Sequence, residues 1–287
     1  MNQVASLMVA ITLFTVMLAL GLSLRTEAMH HWRTRPALPL RVLLGSCLLV
    51  PLLALLVLRM PWSAALSPAA RYGIALMALC PSAPLALRKA GNSGGDRQLA
   101  ALLQISAALT AIVSVPLVGL IFRQSFQLQG WDLQPLDVAL QVLRVQVLPL
   151  LLGLLLRLWQ PALTARLQTP LNRLANLLLI LLLIVVLIKA GPQLVHSLAG
   201  DLQALPVMVL LAAASLAIGA AMAAGNSCER NTTALVCAMR NPGLALYLTK
   251  MHGKGLTGVR LMILAYVLVT VIVSIPLVRR ARQTQQA

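Results

Sequence analysis

The sequence predicts an all-α polytopic membrane protein with a single transmembrane domain over residues 1–287. Three observations lead to this fold class. Of the 287 residues, 60% are hydrophobic and 10% are charged, whereas soluble domains carry roughly 25% charged residues; the mean hydropathy is +0.89. Apolar runs of about 20 residues, the length that crosses a bilayer as a helix, recur along the chain. A nine-residue motif is also repeated within these runs.

Each such run with few charges is predicted to be one membrane-spanning helix. The nine runs are 4–24, 37–58, 71–88, 97–122, 135–159, 171–190, 204–224, 229–250 and 257–279. The third and eighth are the least apolar, because proline and small or polar residues interrupt them. The longest connections, around 25–36, 123–134 and 191–203, are too short to hold a soluble domain.

Lysine and arginine are about twice as frequent on the side of the membrane where the predicted topology places the end of the chain. Because basic residues accumulate in cytoplasmic connections, we expect the C-terminus in the cytoplasm and the N-terminus outside, with the protein in the inner membrane of the cell. Orientation and contact with anionic lipid headgroups therefore explain the net charge of +17. We do not expect a nucleic-acid partner.

An internal repeat divides the chain into two units. Residues 110–118 read TAIVSVPLV and residues 270–278 read TVIVSIPLV, identical at seven of nine positions. The repeat pairs the third and fourth spans with the eighth and ninth. The two copies are therefore offset by five spans, and because this number is odd the second copy enters the membrane from the opposite side. Repeat one covers about 4–122 and lacks its first helix, and repeat two covers about 135–279. Inverted repeats with interrupted spans are a signature of secondary transporters.

The eighth span contains a predicted helix break at Asn241-Pro242-Gly243. Pro242 lacks an N–H and clashes with the preceding turn, so the helix ends before it. Asn241 then caps a second half-helix, with Pro242 in its first position and Gly243 leaving the backbone accessible. A half-helix N-terminus in the membrane offers N–H groups and a positive dipole to an anion. These three residues are predicted to bind the substrate.

Arg240 adjoins this break, near the centre of its span, where a charge is costly and marks a functional site by default. Two interpretations stay open. In one, Arg240 is a structural arginine whose donors are satisfied by neighbouring carbonyls. In the other, which we favour, it is a cavity-facing cation that contacts an anionic substrate or replaces a coupling cation. Helical spacing places Thr233 on roughly the same face, so Thr233 is also a candidate substrate-binding residue. Arg144, the other arginine inside a span, is compatible with an interface.

The third span carries the counterpart break, Cys80-Pro-Ser-Ala-Pro. The prolines produce either a simple kink or a second half-helix boundary. In the second case Ser82 caps the helix or faces the cavity, where it would bind substrate. Beyond this break, Asp96 is predicted to cap the fourth span, with a part in proton or ion coupling as the alternative.

Polar side chains recur every four residues in the fourth span, at Ser106, Thr110 and Ser114, with Gln104 nearby. Such stripes allow close packing of helices through small polar groups. Alternatively, Ser106, Thr110 and Gln104 coordinate an ion such as Na⁺ together with carbonyls of a broken helix. We expect no cofactor, and Na⁺ or H⁺ is the candidate coupling ion.

Three segments in a fixed order carry a resemblance to a known family. They are Leu18-Ala-Leu-Gly-Leu-Ser-Leu in the first span, the Cys80-Pro-Ser-Ala-Pro break and the Met239-Arg-Asn-Pro-Gly-Leu break. With them the chain resembles, over most of its length, the bile acid:sodium symporter family (bile acid/sodium/anion transporters). The resemblance implies inverted repeats whose two broken helices cross, a core domain, a panel domain and an organic-anion substrate between them. The chain fits a divergent, nine-span member.

The resemblance also shows where this chain departs from the sodium-coupled members. Those members carry a glutamate a few residues before a Met-Gln-Asn-Ser-Gly stretch. This chain has Leu235 in place of the glutamate and Arg240 in place of the glutamine, and its first break lacks their Ser-Asn pair. A missing carboxylate and an added guanidinium disfavour a nearby sodium ion. We therefore expect transport of a small, carboxylate-type anion by alternating access, with sodium coupling absent or weak.

Two other functional classes stay open. A carrier of metalloids or oxyanions would use Cys80 near the first break, and a membrane receptor or enzyme would not transport at all. The sequence contains no Walker A or HExxH motif, and we do not expect an enzyme. The predicted partners are a small organic anion and membrane lipid, and both a monomer and a homodimer are compatible with the sequence.

Overall fold

The all-α prediction is confirmed. A computed structural model describes residues 3–24, 30–83, 86, 89–90, 95–126, 135–252 and 258–286, and within these ranges all the regular secondary structure is helical. Large apolar side chains cover much of the described exterior; Leu136, Trp159 and Ile188, for example, are 70%, 80% and 72% exposed. Helices with such exteriors are compatible with lipid as the surrounding solvent. The chain is an all-α polytopic membrane protein.

The helices are numbered here in chain order. They are α1 (Gln3–Ser23), α2 (His30–Thr34), α3 (Ala37–Leu44), α4 (Val50–Arg59), α5 (Pro68–Leu79), α6 (Arg97–Phe126), α7 (Pro135–Val142), α8 (Leu148–Trp159), α9 (Pro161–Ala199), α10 (Ala204–Met222), α11 (Ser227–Ala238), α12 (Pro242–His252), α13 (Val259–Val273) and α14 (Ile275–Gln286). Two π-helical segments complete the spans that they interrupt. The first, Gly45–Leu49, joins α3 to α4, and the second, Leu143–Val147, joins α7 to α8.

Five helical stretches within the described residues are long and apolar enough to cross a membrane. They are Ala37–Arg59, Arg97–Phe126, Pro135–Trp159, Ala204–Met222 and Val259–Ala281. They coincide with the second, fourth, fifth, seventh and ninth predicted spans. The first predicted span is α1, and the third and eighth contain the helix breaks treated below. The total of nine spans stays a prediction.

The helix that contains the sixth predicted span extends beyond that span at both ends. We expected a span over 171–190 and a connection over 191–203, but α9 is one helix of 39 residues, Pro161–Ala199. At 1.5 Å per residue it is roughly 58 Å long, about twice the thickness of the hydrocarbon layer. Hydropathy delimits the apolar part of a helix, and here the helix continues beyond that part in both directions.

Helices α1, α8 and α9 pack against one another and form one group. The backbones of α1 and α8 touch where they cross. A Cβ atom on Gly21 would overlap the carbonyl oxygen of Leu150, and one on Gly153 would overlap that of Leu18. Glycine permits this close approach of two membrane helices, so the two positions fix how the group is assembled.

A second group of helices contains both helix breaks. Helix α5 packs on α13, α11 packs on α10, and α12 packs on α13. The buried apolar cluster of this group includes Tyr72 of α5, Phe122 of α6 and Tyr266 of α13, each with no exposed surface. This packing holds the end of α5, the end of α11 and the start of α12 next to one another.

Candidate functional site

Both predicted helix breaks are present. Helix α5 ends at Leu79, just before Pro81, and residues 239–241 separate α11 from α12, which begins at Pro242. Each proline lacks the N–H that would continue the hydrogen-bonding pattern of the preceding helix. Pro84, which also belongs to the first predicted break, lies outside the described residues.

The two breaks contact each other through their backbones. The N–H of Ala83 donates to the carbonyl oxygen of Met239 at 2.7 Å, and the N–H of Asn241 donates to the carbonyl oxygen of Cys80 at 3.2 Å. Broken helices leave backbone groups without partners, and in a membrane these groups must be satisfied by protein or water. Here each break supplies both a donor and an acceptor to the other, so the two breaks form one unit.

Asn241 caps α12, as predicted. Its side-chain Oδ1 accepts from the N–H of Leu244 at 3.1 Å, and its carbonyl oxygen accepts from the N–H of Ala245 at 3.1 Å. Pro242 has no N–H to offer. At the start of α12, the N–H of Gly243 is therefore the first backbone donor, and it does not donate to Asn241 as the next two do. Within the described part of the chain, the buried Nδ2 atom of Asn241 has no hydrogen-bond partner.

Leu13 of α1 covers the first turn of α12. A Cβ atom on Gly243 would overlap Cδ2 of Leu13 and lie 3.1 Å and 3.2 Å from its Cγ and Cδ1 atoms. Both residues are buried. In this conformation the predicted anion-binding end of α12 is therefore closed off by an apolar side chain from the other group of helices.

Arg240 is 2% exposed and donates to five oxygen atoms of the protein. Its Nε donates to the carbonyl oxygen of Met77 at 3.2 Å. Its Nη1 donates to the carbonyl oxygen and to Oγ of Ser46 at 2.9 and 3.0 Å, and to the carbonyl oxygen of Cys237 at 3.3 Å. Its Nη2 donates to the carbonyl oxygen of Ala78. This geometry matches the interpretation of Arg240 as an arginine satisfied by carbonyls, and its role in substrate binding stays a prediction.

Ser46 is the partner of Arg240 that the sequence analysis missed. It lies in the first π-helical segment, in which the N–H of Val50 donates to the carbonyl oxygen of Gly45, five residues earlier. The same pattern would require an N–H at Pro51 for the carbonyl of Ser46, and proline has none. The proline thus leaves this carbonyl free for Arg240. A proline five residues after a small polar residue, inside an apolar run, was the available signal.

Carbonyl dipoles balance the charge of Arg240. Met77 and Ala78 belong to the last turn of α5, and Cys237 to the last turn of α11, where the helix dipole is negative and favours a cation. Within the described part of the chain, no carboxylate forms an ion pair with Arg240; the ion pair found there joins Arg35 to Glu229 at 3.0 Å. Dipoles of carbonyl groups therefore stabilise the positive charge of Arg240, and no carboxylate of the described residues neutralises it.

A small cavity of about 20 Å³ lies beside the guanidinium. This volume admits about one water molecule. Its lining residues are Met77, Met239, Arg240, Pro242, Val267 and Thr270. Arg240 therefore lines a cavity next to the start of α12, but an organic anion could enter this place only after a rearrangement.

Ser82 lies in the first break with an unusual backbone conformation. Its φ is +22°, the one positive φ of a non-glycine residue among those described, and such values are strained for L-residues. Ser82 is 4% exposed, and its Oγ has no hydrogen-bond partner among the residues that the structure describes. It does not cap a described helix, and it presents a buried hydroxyl within the unit formed by the two breaks.

Comparison with protein families identifies the chain. The profile of the Sodium Bile acid symporter family matches residues 10–197, which is more than half of the sequence. The chain belongs to the sodium bile acid symporter family. It is a transporter of this type, and members of the family are transporters and not enzymes. A comparison with curated proteins finds no match.

The matched stretch of this symporter family member includes the first break and ends before the second. Residues 239–243, where the sequence departs from the sodium-coupled pattern, lie beyond it. The family match therefore supports the overall type of protein but does not extend to Arg240, whose properties follow from its own contacts.

The predicted ion ligands of the fourth span lie on α6 without meeting a described carbonyl of a broken helix. Oγ of Ser106 donates to the carbonyl oxygen of Leu102 at 2.9 Å and accepts from Nε1 of Trp32 at 3.3 Å, and Oγ1 of Thr110 donates to the carbonyl oxygen of Ser106 at 2.8 Å. Gln104 is 1% exposed, and neither the oxygen nor the nitrogen of its amide has a hydrogen-bond partner among the described side chains and backbone. Their role in ion binding stays a prediction.

Thr233 lies in the middle of α11, apart from the break. Its hydroxyl donates to the carbonyl oxygens of Glu229 and Arg230, both at 3.1 Å, and seven residues along a helix separate it from Arg240, roughly 10 Å at 1.5 Å per residue. No described hydrogen bond joins it to the two breaks. Its assignment to the substrate site stays a prediction.

The expectation for Asp96 is confirmed. Its Oδ1 accepts from the N–H groups of Gln98 and Leu99 at 2.8 and 3.0 Å, at the start of α6. Its own N–H donates to Oγ1 of Thr232 at 2.8 Å. Asp96 is thus an N-cap that also ties α6 to α11.

Proposed function

We propose that this symporter family member transports a small organic anion of the carboxylate type by alternating access. The proposed site lies where α12 begins, beside Arg240. The supporting observation is that Arg240 and Pro242 line the same cavity. A buried positive charge and the positive end of a helix dipole thus lie side by side. An anion is the ligand that both would stabilise.

Three hydrogen-bond donors at this point suit a carboxylate. They are the N–H of Gly243, Nδ2 of Asn241 and Oγ of Ser82, and the last two are buried and have no partner in the described ranges. A buried donor without a partner is unfavourable by about 1–3 kcal/mol, and an entering carboxylate would relieve this. We assign Ser82, Asn241 and Gly243 to direct contact, Pro242 to the shape of the helix start, and Arg240 to electrostatic attraction.

Access to this site requires α1 to move, because Leu13 packs on Gly243. We propose that α1, α8 and α9 move as a group against the helices that carry the two breaks, which is the type of motion expected of transporters built from repeats. In one arrangement Leu13 closes the start of α12, and in the other the anion reaches it. The conformation described here is closed at this point.

We also propose that transport does not require sodium. The guanidinium of Arg240 supplies a fixed positive charge at the breaks and would repel a sodium ion beside it. A proton is then the coupling ion to be tested. The sodium-coupled alternative predicts that anion uptake collapses when sodium is withdrawn.

The test is uptake into proteoliposomes that contain the purified protein. Radiolabelled monocarboxylates, dicarboxylates and sulfonates are offered under a gradient of sodium chloride or choline chloride, and with or without a pH gradient. We expect uptake of at least one of these anions at similar rates in both salts. Arg240→Gln should lower that uptake by about tenfold, the effect of one lost charge interaction of roughly 1.5 kcal/mol.

Arg230→Gln is the matched control and should leave uptake unchanged, because Arg230 is exposed near the start of α11, the helix that precedes Arg240. Steep sodium dependence of the wild type would overturn sodium-independent transport. Unchanged uptake by Arg240→Gln would show that Arg240 has no part in anion recognition. Failure of every anion in the set would overturn the proposed substrate class.

We further propose that the protein lies in the inner membrane of the cell, with the N-terminus outside and the C-terminus in the cytoplasm. The distribution of basic residues supports this orientation. A fluorescent protein that matures only in the cytoplasm, fused after residue 287, should fluoresce. A dark fusion of full length would reverse the proposed orientation.

A further inference from the structure

The five oxygen atoms around Arg240 form a set of ligands for a cation. Four are backbone carbonyl oxygens, from Ser46, Met77, Ala78 and Cys237, and the fifth is Oγ of Ser46. They come from three separate parts of the fold: the first π-helical segment, the end of α5 and the end of α11. We refer to these five atoms as the oxygen pocket.

The chemistry of the oxygen pocket is that of a binding site for a hard monovalent cation. Carbonyl and hydroxyl oxygens are hard ligands, and the carbonyl ends of interrupted helices coordinate small cations in membrane transporters. A pocket without a carboxylate suits a single charge. In this chain the guanidinium of Arg240 fills the pocket, because it donates to every one of the five atoms.

We propose that the oxygen pocket is a monovalent-cation site that the chain occupies with its own side chain. Arg240 is a tethered cation, and its removal should turn the pocket into a site for a free cation such as Na⁺ or guanidinium. The proposal deepens the proposed function and rests on it in one respect, since it supplies the physical reason why anion transport needs no added sodium.

A free cation in this pocket would replace what Arg240 does for the contact between the breaks. Met77 and Ala78 precede the first break, and Cys237 precedes the second. Without a cation, the carbonyls of both helix ends would face one another in a buried place without donors, and their dipoles would repel. The pocket should therefore be stable only when a cation fills it, whichever cation that is.

The experiment measures thermal unfolding of the full chain purified in detergent. Wild type, Arg240→Ala and Arg230→Ala are each compared in sodium, potassium, choline and dilute guanidinium chloride at equal ionic strength. We expect wild type and Arg230→Ala to have the same Tm in sodium, potassium and choline. In choline, Arg240→Ala should have a Tm lower by roughly 10 °C, as expected for loss of one partner of a buried charged contact in a protein of this size.

The decisive measurement is the response of Arg240→Ala to small cations. Sodium or guanidinium should raise its Tm by several degrees above the value in choline, since a ligand that binds only the folded state stabilises it. Arg240→Lys, which keeps a tethered charge, should not respond. A purely structural arginine predicts a lower Tm for Arg240→Ala without any response to cations, and this result would overturn the tethered-cation proposal.

Arg240→Gln serves if Arg240→Ala cannot be purified, because glutamine keeps a hydrogen-bonding side chain and removes the charge. A Tm of Arg240→Gln that equals that of wild type and is insensitive to cations would equally overturn the proposal. These outcomes are separate from those of the uptake assay. A cation-responsive Arg240→Ala with a wild type that carries no anion would leave the pocket established and refute the proposed substrate.

Discussion

The two π-helical segments have the same backbone construction but different surroundings. Each is five residues long, each lies inside a membrane-length helix, and in each the next residue donates to the carbonyl of the first, Val50 to Gly45 and Leu148 to Leu143. In each, a proline follows five residues after the second position. In both segments, therefore, one carbonyl lacks the N–H that the π-helical pattern would direct to it, because proline has none.

The difference lies in what reaches that carbonyl. In the first segment it belongs to Ser46 and accepts from Arg240. In the second it belongs to Arg144, whose own side chain is exposed between the exposed side chains of Leu140 and Leu148. Two arginines inside spans thus look alike in the sequence and differ in the fold. An arginine inside a membrane span is buried where carbonyl oxygens without other donors come together. The position of its side chain therefore depends more on the available acceptors than on its charge.

The largest expected effect is that of removing the two arginines. Arg240→Leu should lower the free energy of unfolding by about 3–5 kcal/mol, because it leaves buried acceptors without a donor. Arg144→Leu should change it by no more than about 0.5 kcal/mol, or raise it, since an exposed apolar side chain suits lipid. Unfolding in mixed micelles with increasing denaturing detergent measures both. Equal losses would show that Arg144 has partners of similar strength and would end the contrast.

The second test concerns the first residue of each segment. Gly45 is buried, with Met222 Cγ at 3.1 Å and Ile218 Cγ2 at 3.2 Å from the position of a Cβ atom, whereas Leu143 is 39% exposed. Gly45→Leu should therefore cost about 1–3 kcal/mol through overpacking. Leu143→Ala, its counterpart, should cost no more than about 0.5 kcal/mol. The same unfolding measurement applies, and a tolerated Gly45→Leu would mean that α10 can move away from the first segment.

The sequence predicted what depends on local chemistry. Proline ends a helix and asparagine caps one through atoms a few residues away, so the break before Pro242 and the cap at Asn241 were both found. The acceptors of Arg240 were not, because Ser46 and Met77 lie 194 and 163 residues away along the chain. The tertiary fold brings them together. For the same reason, the sequence gives no sign that carbonyl oxygens from distant residues satisfy the donors of Arg240.

Helix α9 extends beyond the predicted sixth span for a different physical reason. Hydropathy reports which part of a helix prefers lipid, whereas the helix ends where capping groups or turns stop the backbone pattern. Pro192 did not stop α9, although an internal proline usually disrupts a helix. An apolar run therefore indicates which part of the chain prefers lipid, but not where the helix that contains it ends.

The third test replaces each of the two prolines by alanine. Pro149→Ala supplies the N–H that the π-helical pattern would direct to the carbonyl of Arg144 and that the proline lacks. Pro51→Ala supplies an N–H to the carbonyl of Ser46, which already accepts from Arg240. Both prolines are buried, so the loss of the ring is similar and the two variants control for each other. Pro149→Ala should be the more stable by about 1 kcal/mol, the net value of one hydrogen bond. The opposite order in the unfolding titration would mean that Ser46 is the less satisfied of the two.

The smallest expected effect separates the hydroxyl of Ser46 from its carbonyl. Ser46→Ala removes Oγ, one of three acceptors of Nη1, and leaves the carbonyl oxygens of Ser46 and Cys237 in place. Because the donor keeps two partners, the free energy of unfolding should fall by only about 0.5–1 kcal/mol. The Tm of Ser46→Ala should also stay independent of sodium, since the guanidinium still fills the pocket. A loss as large as that of Arg240→Leu would instead mean that the hydroxyl holds Arg240 in place. The freed carbonyl would then have little importance, and the likeness between the two π-helical segments would no longer explain where either arginine lies.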